Sequence, residues 1–245
     1  MTLLSRRARI AGLWYLAMIA VGVIRLLYVP GKLFVKGDAA ATAANIAAHP
    51  SLFRLGMASS LVGMVLFLFL SFALYRLLSG VNNSLASAMV IFVIVSAAIE
   101  CVNVLTDAAA LQLVRGAGYL SVFDQPQREA LARLSLDLHF QGYVVNEMFW
   151  GLWLLPLGML VIRSGFLPRL LGVWLILAGL GWMLVSLTGL LVPENYERVF
   201  SITSPVRLGE VAFLLWLVIL GAKDKGTARA GPQLSAAQPA VDRTK

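Results

Sequence analysis

The sequence predicts an all-α, polytopic membrane helix bundle with six transmembrane helices, and three observations carry that prediction. Of the 245 residues, 60% are hydrophobic and 13% charged, with a mean hydropathy of +0.84, whereas soluble domains carry roughly 25% charged residues. Apolar runs fall at 10–28, 52–78, 85–114, 138–162, 170–192 and 207–221, against the roughly 20 residues that a helix needs to cross a hydrocarbon core of about 30 Å. These runs lack the two-residue alternation of barrel strands, and in lipid each segment must satisfy its own backbone, which leaves helices.

The first run follows a basic N-terminus. It is longer than the roughly 7–15 residues of a signal core, and no small-residue cleavage pattern follows at "RLLYVPGK", so it reads as a retained span. Next, a Pro-Gly turn, Asp38 as a helix cap, an Ala-rich stretch and Pro50 predict a short outer helix between spans one and two, lying across the bundle mouth as a cover. The third run holds the single cysteine, Cys101, which has no internal disulfide partner and reads as a small packing residue. Before the fourth run, Asp124 can cap and Pro126 suits a first turn, so one helix is expected to run on into that span. Pro156 should kink it.

Gly172, Gly179 and Gly181 in the fifth run allow close helix approach where lipid offers no hydrophobic drive. Trp14, Tyr15, Tyr28, Tyr143 and Tyr196 are expected at the membrane–water interfaces. The domain thus covers 1–222, followed by a disordered basic tail at 223–245, "KDKGTARAGPQLSAAQPAVDRTK".

Six spans place both termini on one side. Arg6, Arg7, Arg9, Arg76, Arg163, Arg169 and the basic tail share that side, while Asp38, Asp124, Glu129, Asp137, Glu194 and Glu197 lie on the other. Both termini are therefore expected to be cytoplasmic. The net charge of +8 reads as a basic face toward anionic membrane lipid, with no nucleic acid partner.

Charged residues inside the spans are costly, by about 2.5–3.5 kcal/mol on insertion scales, and so mark candidate sites. On the third span Ser96, Glu100, Asn103 and Asp107 fall within about a 60° arc, and Glu100 lies about 10 Å deeper than Asp107. On the fourth, His139, Tyr143, Asn146, Glu147 and Trp150 share about a 100° arc running inward from the same surface. Arg25 near the end of the first span, Arg54 opening the second, and Arg207 with Glu210 opening the sixth complete a polar outer half. The three arginines are expected to reach headgroups.

The stretches "GDAAATAANIAAHPSLFRLG" (37–56), "LDLHFQGY" (136–143) and "RSGFLPRLLGVWLILAGLGW" (163–182) resemble a bacterial family of integral membrane proteins that carry a domain of unknown function, DUF4386. The resemblance covers nearly the whole chain up to the tail, with Asp38, Asn45, Arg54, Asp137, His139 and Arg163 at its polar positions. It implies the architecture and a multi-pass protein of the bacterial inner membrane. It implies no activity and no cofactor.

For function, the expectation is a polar pocket open to the extracytoplasmic side that takes a small polar ligand, a lipid headgroup or an ion. Its expected contacts are Arg25, Glu100, Asn103, Asp107, His139, Asn146, Glu147 and Glu210. One alternative is a structural or partner subunit of a membrane complex; small residues in spans five and six would also permit a homo-oligomer. An intramembrane metal-dependent hydrolase built on His139 ranks below both, because only 2 histidines exist and no HExxH pattern occurs. No metal site is expected.

Overall fold

Among the described residues, six helices are long and apolar enough to cross a membrane. The computed structural model describes residues 3–35 and 37–222; the expected disordered tail, 223–245, lies outside the described residues. Helix α1 (Leu3–Val23) passes through a π-helical turn (Ile24–Tyr28) into α2 (Val29–Leu33), forming one span. A short helix, α3 (Ala39–Ala48), follows, and α4 (Pro50–Leu78) and α5 (Asn83–Arg115) are spans two and three. Helix α6 (Gln125–Ser164) and α7 (Arg169–Leu191) are spans four and five, and α8 (Tyr196–Arg207) with α9 (Gly209–Ile219) form the sixth.

Local chemistry sets the boundaries. Asp38 Oδ1 accepts from Ala41 N at 2.8 Å and starts α3, and Pro50 occupies the first turn of α4, where its missing N–H costs nothing. Asp124 and Gln127 form a reciprocal capping box. It launches a helix of 40 residues that contains Pro156 and runs unbroken into span four. Gly116 and Gly165, at φ +65° and +70°, close α5 and α6 in a left-handed conformation that other residues adopt at a cost.

Helices α5, α6 and α7 pack side by side along their lengths, α1 packs on α4, and α9 on α1 and α7. The α6–α7 contact is a glycine seam. A Cβ on Gly151 would sit 2.5 Å from Gly179 O, and one on Gly158 2.6 Å from Gly172 O, so the backbones touch because no side chain intervenes. Gly181 is not in this seam; it faces Arg207 and Thr203 instead. Cys101 is exposed on the bundle flank, its Sγ 3.4 Å from Met64 Sδ, and not a core packing residue.

Gly221 abuts Ser5, so the described chain ends together; we call this the terminal end and the opposite one the far end. The main apolar core, including Leu74, Leu78, Met89, Leu157, Leu160 and Leu217, fills the terminal half. A second cluster, Val29, Leu33, Ile46, Phe53 and Leu111, caps the far end. Helix α3 is part of that cap: Ile46 is fully buried, Asn45 Nδ2 donates to Leu33 O at 3.2 Å, and Thr42 Oγ1 to Asp38 O at 2.9 Å. The polar residues lie between the two clusters.

The sixth span departs from expectation. It begins at Pro193 instead of 207 and changes from α8 to α9 at Leu208, three residues after Pro205. Arg207 and Glu210 therefore sit inside the span, at the level of Gly181, Trp182 and Tyr15, and not at its outer end.

Candidate functional site

A cavity of about 500 Å³ occupies the space between α1, α4, α5, α6, α7 and the α8–α9 junction. Its first-span wall is Tyr15, Met18, Ile19 and Gly22 on α1, which share one helix face, and Leu26 in the π turn. The π turn carries Arg25 back over this face: its Nη2 lies 2.7 Å from Glu100 Oε1 on α5. A π turn inserts one residue per turn and redirects the side chains it holds. Glu100 is 4% exposed, so this ion pair is buried, and Asn146 Nδ2 makes a long 3.5 Å contact to its other oxygen.

Glu210 closes the cavity toward the terminal half. It accepts from Tyr15 OH at 2.7 Å through Oε2 and from Trp182 Nε1 at 2.7 Å through Oε1. Trp150 Nε1 donates to Ser96 Oγ at 3.1 Å, and Trp150 meets Trp182 edge to face. Trp153, also lining, packs edge-on against Phe67 and Tyr15. Three tryptophans and the aliphatic face of α1 thus surround a few deep polar groups.

Arg207 is the least expected of these. Its guanidinium lies 4.1 Å from the Trp182 ring and 3.9 Å from the Phe200 ring, whose planes stand 69° apart, a cation–π arrangement that strengthens away from water. Nη2 donates to Phe200 O at 2.6 Å. Nε has no hydrogen-bond partner and, among the described residues, no carboxylate forms an ion pair with this side chain. Asn146 Oδ1 is likewise buried without a partner. A buried polar atom left unmatched costs about 1–3 kcal/mol, and Arg207 and Asn146, whose residues line the cavity, each carry one such atom.

The eight expected contacts divide into three groups. Arg25, Glu100, Asn146 and Glu210 line the cavity. Asn103, Asp107 and His139 form a separate cluster between α5 and α6, where His139 Nδ1 stands 3.1 Å from Asp107 Oδ1 and 3.2 Å from Asn103 O; Gly142 leaves room for the Asn103 amide. Glu147 turns the other way, toward α8, accepting from Tyr196 OH at 2.8 Å. Glu100 and Glu147 therefore do not share one space. Among the described residues no three His, Cys, Asp or Glu side chains are grouped to hold a metal ion.

Of the three arginines expected at headgroups, Arg54 is exposed, but Arg25 turns inward and Arg207 is buried. Tyr15 and Tyr196, expected in the interface belts, are buried partners of Glu210 and Glu147, and Tyr143 lines the cavity. Tyr15 could have been found: with Gly22 and Arg25 it lies on one face of the first span.

The family model for a domain of unknown function, DUF4386, matches residues 10–221. The chain belongs to this family. An uncharacterized protein of Archaeoglobus fulgidus is 31% identical over 171 residues, which cover 67% of this chain and 85% of that protein. No solved structure matches the chain. The multi-pass architecture rests on the six apolar helices, and family membership brings no activity with it.

Proposed function

We propose that this DUF4386 protein binds a small amphipathic molecule in the cavity between α1 and α9, within the cell membrane and with both termini cytoplasmic. The observation that carries this reading is a mainly apolar wall that also holds Asn146 and Arg207, the latter without a carboxylate ion pair among the described residues. A polar head group suits the Arg207 guanidinium and the Asn146 amide, and an apolar chain suits Met18, Ile19, Leu26 and the tryptophans. The volume of about 500 Å³ falls in the roughly 300–1,000 Å³ range of small-molecule sites.

Geometry also supports entry from the side. Val23, Leu26 and Leu27 on the first span and Val211 on α9 line the cavity yet are 49%, 47%, 67% and 41% exposed. In the terminal half α1 and α9 close on each other through Gly12 against Val218 and Tyr15 to Glu210. The apolar cap under α3 closes the far end. The route left between α1 and the α8–α9 junction faces acyl chains, so the ligand comes from the bilayer.

The test uses the cavity's own tryptophans, Trp150, Trp153 and Trp182. In nanodiscs, dibromostearic acid added to the wild type should quench fluorescence saturably, and unbrominated stearic acid should reverse it. Gly22→Phe, which fills open space on the α1 wall, should remove the saturable component. Quenching that rises linearly with probe and is the same in the variant would show simple partitioning into lipid and contradict the reading.

A further inference from the structure

A second groove, of about 310 Å³, lies between α1 and α4 at the terminal end, away from the cavity. Arg6 and Arg7 come from the start of α1 and Arg76 from the last turn of α4. Arg7 Nη1 donates to the backbone Arg76 O at 3.2 Å, tying the helix ends, and all three arginines line the groove. The Arg6 and Arg76 side chains form no hydrogen bond or ion pair among the described residues, and both are exposed. Toward the bilayer the groove continues as an aromatic face, with Trp14 stacked on Phe69 at 5.0 Å and Phe69 and Phe72 each 50% exposed.

Among the described residues no carboxylate compensates the charge here. Every described Asp and Glu lies in the interior or toward the far end, and the remaining two, Asp224 and Asp242, are outside the described residues. Guanidinium groups match the planar oxygens of phosphate through paired N–H donors, and basic pockets between helices at the membrane surface suit anionic headgroups. We propose that this groove binds one anionic phospholipid, its phosphate between Arg6, Arg7 and Arg76 and its acyl chains along Trp14, Phe69 and Phe72. The aromatic continuation argues for a lipid over free phosphate, because a soluble anion would leave that face unused.

The full chain, reconstituted in phosphatidylcholine nanodiscs containing a minor fraction of phosphatidylglycerol, should retain one phosphatidylglycerol through native mass spectrometry. The double variant Arg6→Gln/Arg76→Gln, which leaves the Arg7 bond in place, should lower that retention roughly tenfold or more. Arg163→Gln/Arg169→Gln removes the same charge from exposed positions at the same end and should change it little. Should the first double variant fail to fold, Arg6→Gln alone, at an exposed site, should still weaken retention several-fold. Equal loss in both double variants would reduce the effect to general surface charge and overturn the site. Equal retention of phosphatidylcholine, or displacement of the lipid by inorganic phosphate at low millimolar concentration, would overturn the lipid assignment.

Discussion

Glu210 holds two hydrogen bonds from distant parts of the chain, one from Tyr15 and one from Trp182, and each can be removed separately. Tyr15→Phe leaves Oε2 without a donor in a buried setting, and unfolding titrations should show a loss of about 1–3 kcal/mol. Tyr75→Phe, which removes an exposed bond to Asn83, should stay within about 0.5 kcal/mol. The Arg25–Glu100 pair, with side chains 18% and 6% exposed, should behave as a buried ion pair. Arg25→Met alone should cost about 3 kcal/mol, because it strands a carboxylate, and Arg25→Met/Glu100→Leu should cost less than the two single changes added together. Strict additivity in that cycle would show that the two groups do not interact.

Helix positions were legible in the sequence wherever a run of apolar residues carried its own caps. Asp38 marked the start of α3 and Asp124 with Pro126 that of α6, whereas Pro50, expected only to stop α3, opens α4; Gly172 and Gly179 marked the α6–α7 seam. Gly151→Ala should cost about 1–3 kcal/mol, because its Cβ would press on Gly179 O and Met183. Gly22→Ala, which meets nothing within 4 Å, should be neutral or stabilise by up to about 1 kcal/mol. Both are read from the same unfolding titrations.

Two features of the elements were not legible. The π turn at Ile24–Tyr28 has no composition signal, since it depends on what Arg25 meets across the bundle. The start of the sixth span was hidden because Glu194, Glu197, Arg198 and Pro205 lower local hydropathy, so α8 read as a loop. That error put Arg207 at the surface, when its partners are the aromatic rings of Trp182 and Phe200.

At the scale of the molecule, the sequence placed ionisable groups from several helices in one half of the bundle, and the structure resolves them into a cavity, an Asp107–His139 cluster and a Glu147–Tyr196 contact. Periodicity identifies the face of a helix but not its partner, which is why these groups merged into one pocket in the sequence reading. Orientation is open to direct measurement. In a Cys101→Ala background, Tyr119→Cys at the far end should react with an impermeant maleimide in intact cells, while Gly80→Cys at the terminal end should react only after lysis. The reverse pattern would place the termini outside.

The central claim is that the bundle keeps an amphiphile-sized space against Arg207, and an experimental density map of the protein extracted in native membrane particles tests it most directly. The account predicts elongated non-protein density between α1 and α9 with its polar end at the Arg207 guanidinium. A map in which Gly22 and Leu26 pack directly on α8–α9 and Arg207 pairs with Glu147 or Glu210 would contradict it.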